Sequence, residues 1–144
     1  MNVIIVSICA WTIAQFLKFA IILIQKKQFD FRAFVAPGGM PSAHSAIVSA
    51  LATSVAIVDG LDSVTFGISV VLALIVMYDA AGVRRSVGKQ AVVLNRIAKE
   101  LKERRTIAGF EYDLRELIGH TTFQVAVGAC LGIGVSFLWF LLIA

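Results

Sequence analysis

Four apolar stretches, at 3–24, 43–58, 64–80 and 120–143, decide what this chain can fold into. The first, Val3 to Ile24, is interrupted by Gln15 and Lys18 and is long enough to cross a hydrocarbon core of roughly 30 Å as a helix. With 59% hydrophobic residues and a mean hydropathy of +0.89, the 144-residue chain lies far outside the range of soluble domains. The expectation is one all-α membrane domain: a polytopic bundle of about four transmembrane helices, with an amphipathic connection over 84–108. The two middle stretches are short, since about 15 residues rise only ~22 Å. They must borrow flanking residues or thin the bilayer. No basic residue precedes the first run and no small-residue cleavage site closes it, which argues against a signal peptide.

Charge orients the bundle. The net charge is +4, and Arg84 to Gly119 holds nine basic residues against five acidic ones. The connection from Gln25 to Pro41 carries Lys26, Lys27 and Arg32 against Asp30, whereas the link Asp59-Gly60-Leu61-Asp62 is acidic. The positive-inside rule makes both basic connections cytoplasmic and both termini external, in the plasma membrane if the source is bacterial.

Within the long connection, Val87, Ala91, Leu94, Ala98 and Leu101 recur at steps of four and three, which marks one face of a helix. Lys89, Arg96, Lys99, Lys102 and Arg104 lie opposite, with Lys99/Glu103 and Glu100/Arg104 spaced to pair. Such a helix is expected along an anionic headgroup layer, so membrane lipid is the expected partner. Nucleic acid is not, because no aromatics interleave with the basic residues. Gly128, Gly132 and Ser136 form one small-residue stripe, and Ser45, Ser49 and Thr53 another. Either can pack inside the bundle, the preferred reading, or join copies into a homo-oligomer. Cys9 and Cys130 lie in apolar runs and act as small hydrophobes. Two histidines without clustered cysteines indicate no metal site, and no cofactor is expected. The segment Gly82 to Lys89 fails the phosphate-loop spacing and follows no strand.

The polar residues converge on one side. An up-and-down bundle brings Lys18, the entrance of the second span with His44, the exit of the third with Asp79, Arg84 and Arg85, and the entrance of the fourth with His120 to the cytosolic face. Charged groups bordering spans generally face the bundle interior or a wet cavity. Helix entrances hold anions through unpaired N–H groups. Gly38 and Gly39 permit close backbone approach, Pro41 suits a first helical position, and Ser42 or Ser45 can cap the helix or contact an anion. The Asp79/Arg84/Arg85 cluster can also be a structural ion pair. A phosphorylated ligand follows, with one imidazole as nucleophile or base and the other as acid. Cooperation on one phosphoryl group requires the two rings to lie within about 10 Å of each other.

Pro41-Ser42-Ala43-His44 resembles the P-S-G-H motif of the type 2 phosphatidic acid phosphatase superfamily, and His120-Thr121-Thr122-Phe123-Gln124 its closing H-x-x-x-D. The wider pattern G-G-M-P-S-x-H-S-A, Y-D-A-x-G-V-R-R, G-H-T resembles the small divergent branch related to the vanadium-dependent haloperoxidases. The resemblance implies a lipid-phosphate phosphatase in which His120 attacks phosphorus and His44 protonates the leaving oxygen. The same resemblance implies that basic side chains hold the phosphoryl oxygens, with Lys18, Arg84, Arg85 and Arg115 the candidates, and Gly39, Ser42 and Ser45 at the helix entrance complete the expected phosphate site. Gln124 stands where an orienting Asp is usual, and the family's first-motif Lys and Arg have no clean counterpart. A non-catalytic lipid-phosphate binder or transporter, or a structural membrane subunit, are the alternatives.

Overall fold

The computed structural model describes residues 2–26, 39–103, 114 and 119–143. Its elements are α1 (Asn2–Lys26), α2 (Ala43–Asp59), α3 (Val64–Tyr78), a π turn (Asp79–Val83), α4 (Arg84–Glu103) and α5 (Thr122–Leu142). All are helical, as the apolar runs require. Among the described residues three helices are long and apolar enough to cross a membrane, Asn2–Ile24, Val64–Leu101 and Thr122–Leu142, while Ala43–Asp59 is a shorter apolar helix. The short α2 packs against α1, α3 and α5, so it is the centre of the bundle. At 17 residues it spans only about 25 Å. Shielded by its neighbours, it need not match the lipid on its own.

Small side chains set the packing. On α1, Val6, Ala10 and Ala14 are fully buried at steps of four, and Ala14 meets Ala43 and Ala46 of α2, with Leu131 of α5 against them. Residue 18 is next on that line, which carries Lys18 into the bundle. Helix α5 lies alongside α2, pointing the same way: Gly128 rests on the Ser42 carbonyl and Gly132 on that of Ala46. Further along, Ser54 donates to Ser136 at 3.2 Å, and Ser136 donates to the Ala50 carbonyl at 3.0 Å. The Gly128/Gly132/Ser136 stripe is therefore occupied within the chain. Ser45 and Ser49 are buried too, and Thr53 is half-buried.

Two expectations for the connection change. The amphipathic helix is no separate piece, because helix runs unbroken from Val64 to Glu103 through the π turn. The expected apolar face is also split: Ala91 is buried and Ala98 and Leu101 are half-buried, while Val87 and Leu94 are exposed. Asn95 explains the difference. Its side chain donates to the Leu114 carbonyl at 2.8 Å and accepts from the Leu114 N–H at 3.1 Å, so the chain at Leu114 is held on the side where Ala91 lies, about one turn away. On the exposed side Arg96 pairs with Glu100 at 3.9 Å. The expected pairs Lys99/Glu103 and Glu100/Arg104 involve side chains outside the described ones.

Candidate functional site

The entrances of α2 and α5 are capped by their own motif residues. Ser42 Oγ accepts from the Ser45 N–H at 3.4 Å and from the Ser45 hydroxyl at 3.1 Å. Of the two uses foreseen for Ser42, the structure gives it the capping one, and both serines are fully buried. Pro41 precedes the cap, two positions before the first helical residue, Ala43, and its peptide bond to Met40 is cis. At the other entrance Thr121 and Gln124 form a capping box: Thr121 Oγ1 accepts from the Gln124 N–H at 3.3 Å, and Gln124 Oε1 from the Thr121 N–H at 3.0 Å. The Ser42 N–H donates to the Gln124 carbonyl at 3.2 Å and ties the two entrances together.

His44 sits in the first turn of α2 and His120 directly before the α5 cap. Their rings lie 6.0 Å apart, centroid to centroid, inclined at 61°. His120 is only 3% exposed and His44 is exposed, so the pair has an inner and an outer member. The inner ring is held through its backbone. The His120 N–H donates to the Ala80 carbonyl at 2.9 Å, in the π turn where the Arg84 N–H reaches back five residues to Asp79. Gly119, at φ +107°, lies so close to the backbone of Arg84 and Arg85 that a Cβ there would overlap it.

Lys18 completes the inner wall. It is 4% exposed, and Gly39, at φ +85°, covers its stem: a Cβ at Gly39 would stand 3.3 Å from Lys18 Cγ. Among the described residues no carboxylate pairs with Lys18, since the ion pairs are Arg84–Asp79 and Arg96–Glu100. A buried cation with no protein counter-ion is costly. His120 holds a proton less readily than a free imidazole, first because it is buried and next because of the Lys18 charge; His44 adds to this, while the Gln124 side chain and the Gly39 backbone oppose it. Its buried Nδ1 has no hydrogen-bond partner among the described residues.

The rim is cationic but partly neutralised. Arg84 Nε binds Asp79 Oδ2, the structural ion pair foreseen for this cluster, and both side chains are well exposed. Arg84, Lys18 and Asp79 are the charged groups that act on His44. Arg85 is exposed, with its backbone under Gly119. Thus Lys18, Gly39, His44, Asp79, Arg84, Arg85, His120 and Gln124 come together at one end of the bundle. Ser42 and Ser45 lie behind it as capping groups. Arg115 and Gly38 are outside the described residues. The Ala80 carbonyl, which sets the height of His120, escaped the sequence reading, because a backbone acceptor leaves no side-chain signal.

A helical membrane bundle that brings paired histidines and a buried lysine together at two joined helix entrances defines an integral membrane protein. The chain belongs to the Divergent PAP2 family, whose model matches residues 1–135. It is similar to the uncharacterized membrane protein YuiD of Bacillus subtilis (strain 168), with 41% identity over 136 residues, covering 88% of this chain and 86% of that protein. No solved structure matches it significantly.

Proposed function

We propose that this protein binds a lipid phosphate at the cytosolic membrane interface and hydrolyses it through a phosphohistidine. The observation that carries this reading is the 6.0 Å approach of His44 and His120 beside the buried Lys18, which has no carboxylate partner among the described residues. Lys18 and the arginines hold the phosphoryl oxygens. A neutral His120 nitrogen attacks phosphorus, and its lowered proton affinity suits it to that role. As the P–O bond to the lipid breaks, a protonated His44, the outer ring, gives its proton to the leaving oxygen. Water then attacks the phosphohistidine, His44 takes up its proton, and inorganic phosphate leaves.

Gln124 favours a second reading, a lipid-phosphate binder without turnover. A carboxylate at that position would stabilise an imidazolium more strongly than the neutral amide does, and Gln124 Oε1 also accepts from the Thr121 N–H. Phosphate release from phosphatidic acid, phosphatidylglycerophosphate and polyprenyl diphosphates in proteoliposomes separates the two. Catalysis requires release that is abolished in both His120→Ala and His44→Ala. No release from the parent, with lipid-phosphate binding that survives His120→Ala and is lost in Lys18→Met, establishes the binder. Release or binding confined to one leaflet, compared in right-side-out and inverted vesicles, tests the cytosolic placement.

A further inference from the structure

The helix that carries α3 into α4 contains one residue more than α-helical winding accommodates. The Arg84 N–H, which an α-helix would give to the Ala80 carbonyl, reaches back to Asp79 instead. Ala80 is left without its α-helical donor, and the His120 N–H takes that place at 2.9 Å. A second sign is independent of the backbone. Asp79 and Arg84 are five residues apart, a spacing that puts side chains on different sides of an α-helix, yet they form an ion pair. Outside the turn the helix keeps its phase: the exposed residues Val71, Ile75 and Tyr78 step by four and three, then by five to Val83 and by four to Val87. The extra residue therefore changes the local bonding and leaves both flanking helices where continuous winding would put them. Such π turns are rare and fall frequently at functional sites.

The inner histidine depends on that carbonyl. His120 stands before Thr121, the cap of α5, so α5 contains no acceptor for its N–H, and a buried N–H left unpaired is costly. Its neighbour Gly119 is pressed against the backbone of Arg84 and Arg85, so the chain meets the turn at two successive residues. The 6.0 Å separation of the two rings is thus set between α2, which carries His44, and the π turn, which holds His120.

We infer that the π turn is a positioning element for the histidine pair: the Ala80 carbonyl, released by the extra residue, holds His120 at its place opposite His44. The inference rests on the phosphoryl-transfer reading only for its effect on turnover. Deleting Gly82 tests it. A Cβ at Gly82 would meet nothing within 4 Å among the described residues, and the deletion returns the Arg84 N–H to Ala80 while leaving Asp79 and Arg84 four residues apart, still able to pair. One backbone bond is exchanged for another, so the melting temperature in detergent should stay near the parent's. The His120 amide, deprived of its acceptor, should exchange with deuterium about 10-fold faster or more. Its imidazole titration, followed by NMR, should move toward that of a free histidine. Phosphate release from phosphatidic acid should fall about 100-fold in kcat at unchanged KM, the loss expected for a misplaced reacting group. Gly82→Ala keeps the residue count and should match the parent throughout. A deletion variant with the parent's exchange, titration and kcat overturns the inference. So does an unprotected His120 amide in the parent, a measurement that stands whether or not the variant folds. A parent that releases no phosphate refutes the phosphatase reading, and the exchange and titration of His120 then decide the positioning role by themselves.

Discussion

Replacing Gly132 by alanine adds one methyl group against backbone, where nothing can rotate away. The added Cβ would overlap the Ala46 carbonyl oxygen and lie 2.9 Å from the Ala50 nitrogen and 3.0 Å from the Ala46 carbonyl carbon. Relief requires α2 and α5 to separate, which strains the Ser136 bond to the Ala50 carbonyl and the Ser54–Ser136 bond one turn further on. Overpacking of this kind costs about 1–3 kcal/mol, a roughly 5- to 150-fold shift toward the unfolded state. Gly134, two residues away, is the matched control: its Cβ would meet nothing within 4 Å. Gly134→Ala gains helix propensity and should be neutral or stabilising by up to about 1 kcal/mol. Unfolding free energies in bicelles, from steric trapping or denaturant titration, should separate the two variants by about 1–4 kcal/mol. Equal stabilities, or a more damaging Gly134→Ala, would refute the account of how the central helix is packed.

Gly119→Ala forces a left-handed φ on an L-residue, costing about 1–2 kcal/mol before the overlap with the Arg85 backbone is counted; thermal melting in detergent should show the loss, and backbone-shift NMR should place its centre at His120. Lys18→Met removes a buried amine that has no carboxylate partner among the described residues, so the anion-free protein should melt no lower than the parent, while phosphate or vanadate affinity falls about 10- to 100-fold, as expected for a charge-assisted contact. Melting titrations with each anion measure both effects. His120 binds its proton more weakly in the folded than in the unfolded chain. Its contribution to stability is therefore present above the ordinary imidazole range, near 6.5, and is lost as pH falls through the lowered value. Unfolding free energy between pH 7.5 and 5 should fall less steeply in His120→Gln than in the parent.

The fold was legible where hydrophobic length decides it, and the ends of the spans were set by Ser42, Ser63 and Thr121, residue types that cap helices in any solvent. The meeting of His44 with His120 followed from counting spans, since alternating directions bring both entrances to one end. The face of α4 was less legible. Its apolar residues form two adjoining stripes, and periodicity cannot tell which one the chain at Leu114 occupies; the Asn95 bonds to that backbone decide it. The π turn was hidden for a related reason. One extra residue per turn changes no side-chain type, and only the five-residue step between Tyr78 and Val83 records it. Lys18 was identified as polar within an apolar run, but its burial depends on the close approach of Gly39.

The hydrogen bond from Ser42 to the Gln124 carbonyl has a consequence for biosynthesis. His44 is made early and His120 late, and the backbone bond holding the first entrance in place comes from the last helix. Until α5 has inserted beside α2, His44 has no facing imidazole, and Ser42 has no partner for its N–H on that helix. A ribosome-bound chain ending before Thr122 thus carries both histidines without the backbone bond that joins their helix entrances, so the paired arrangement forms only once α5 is made.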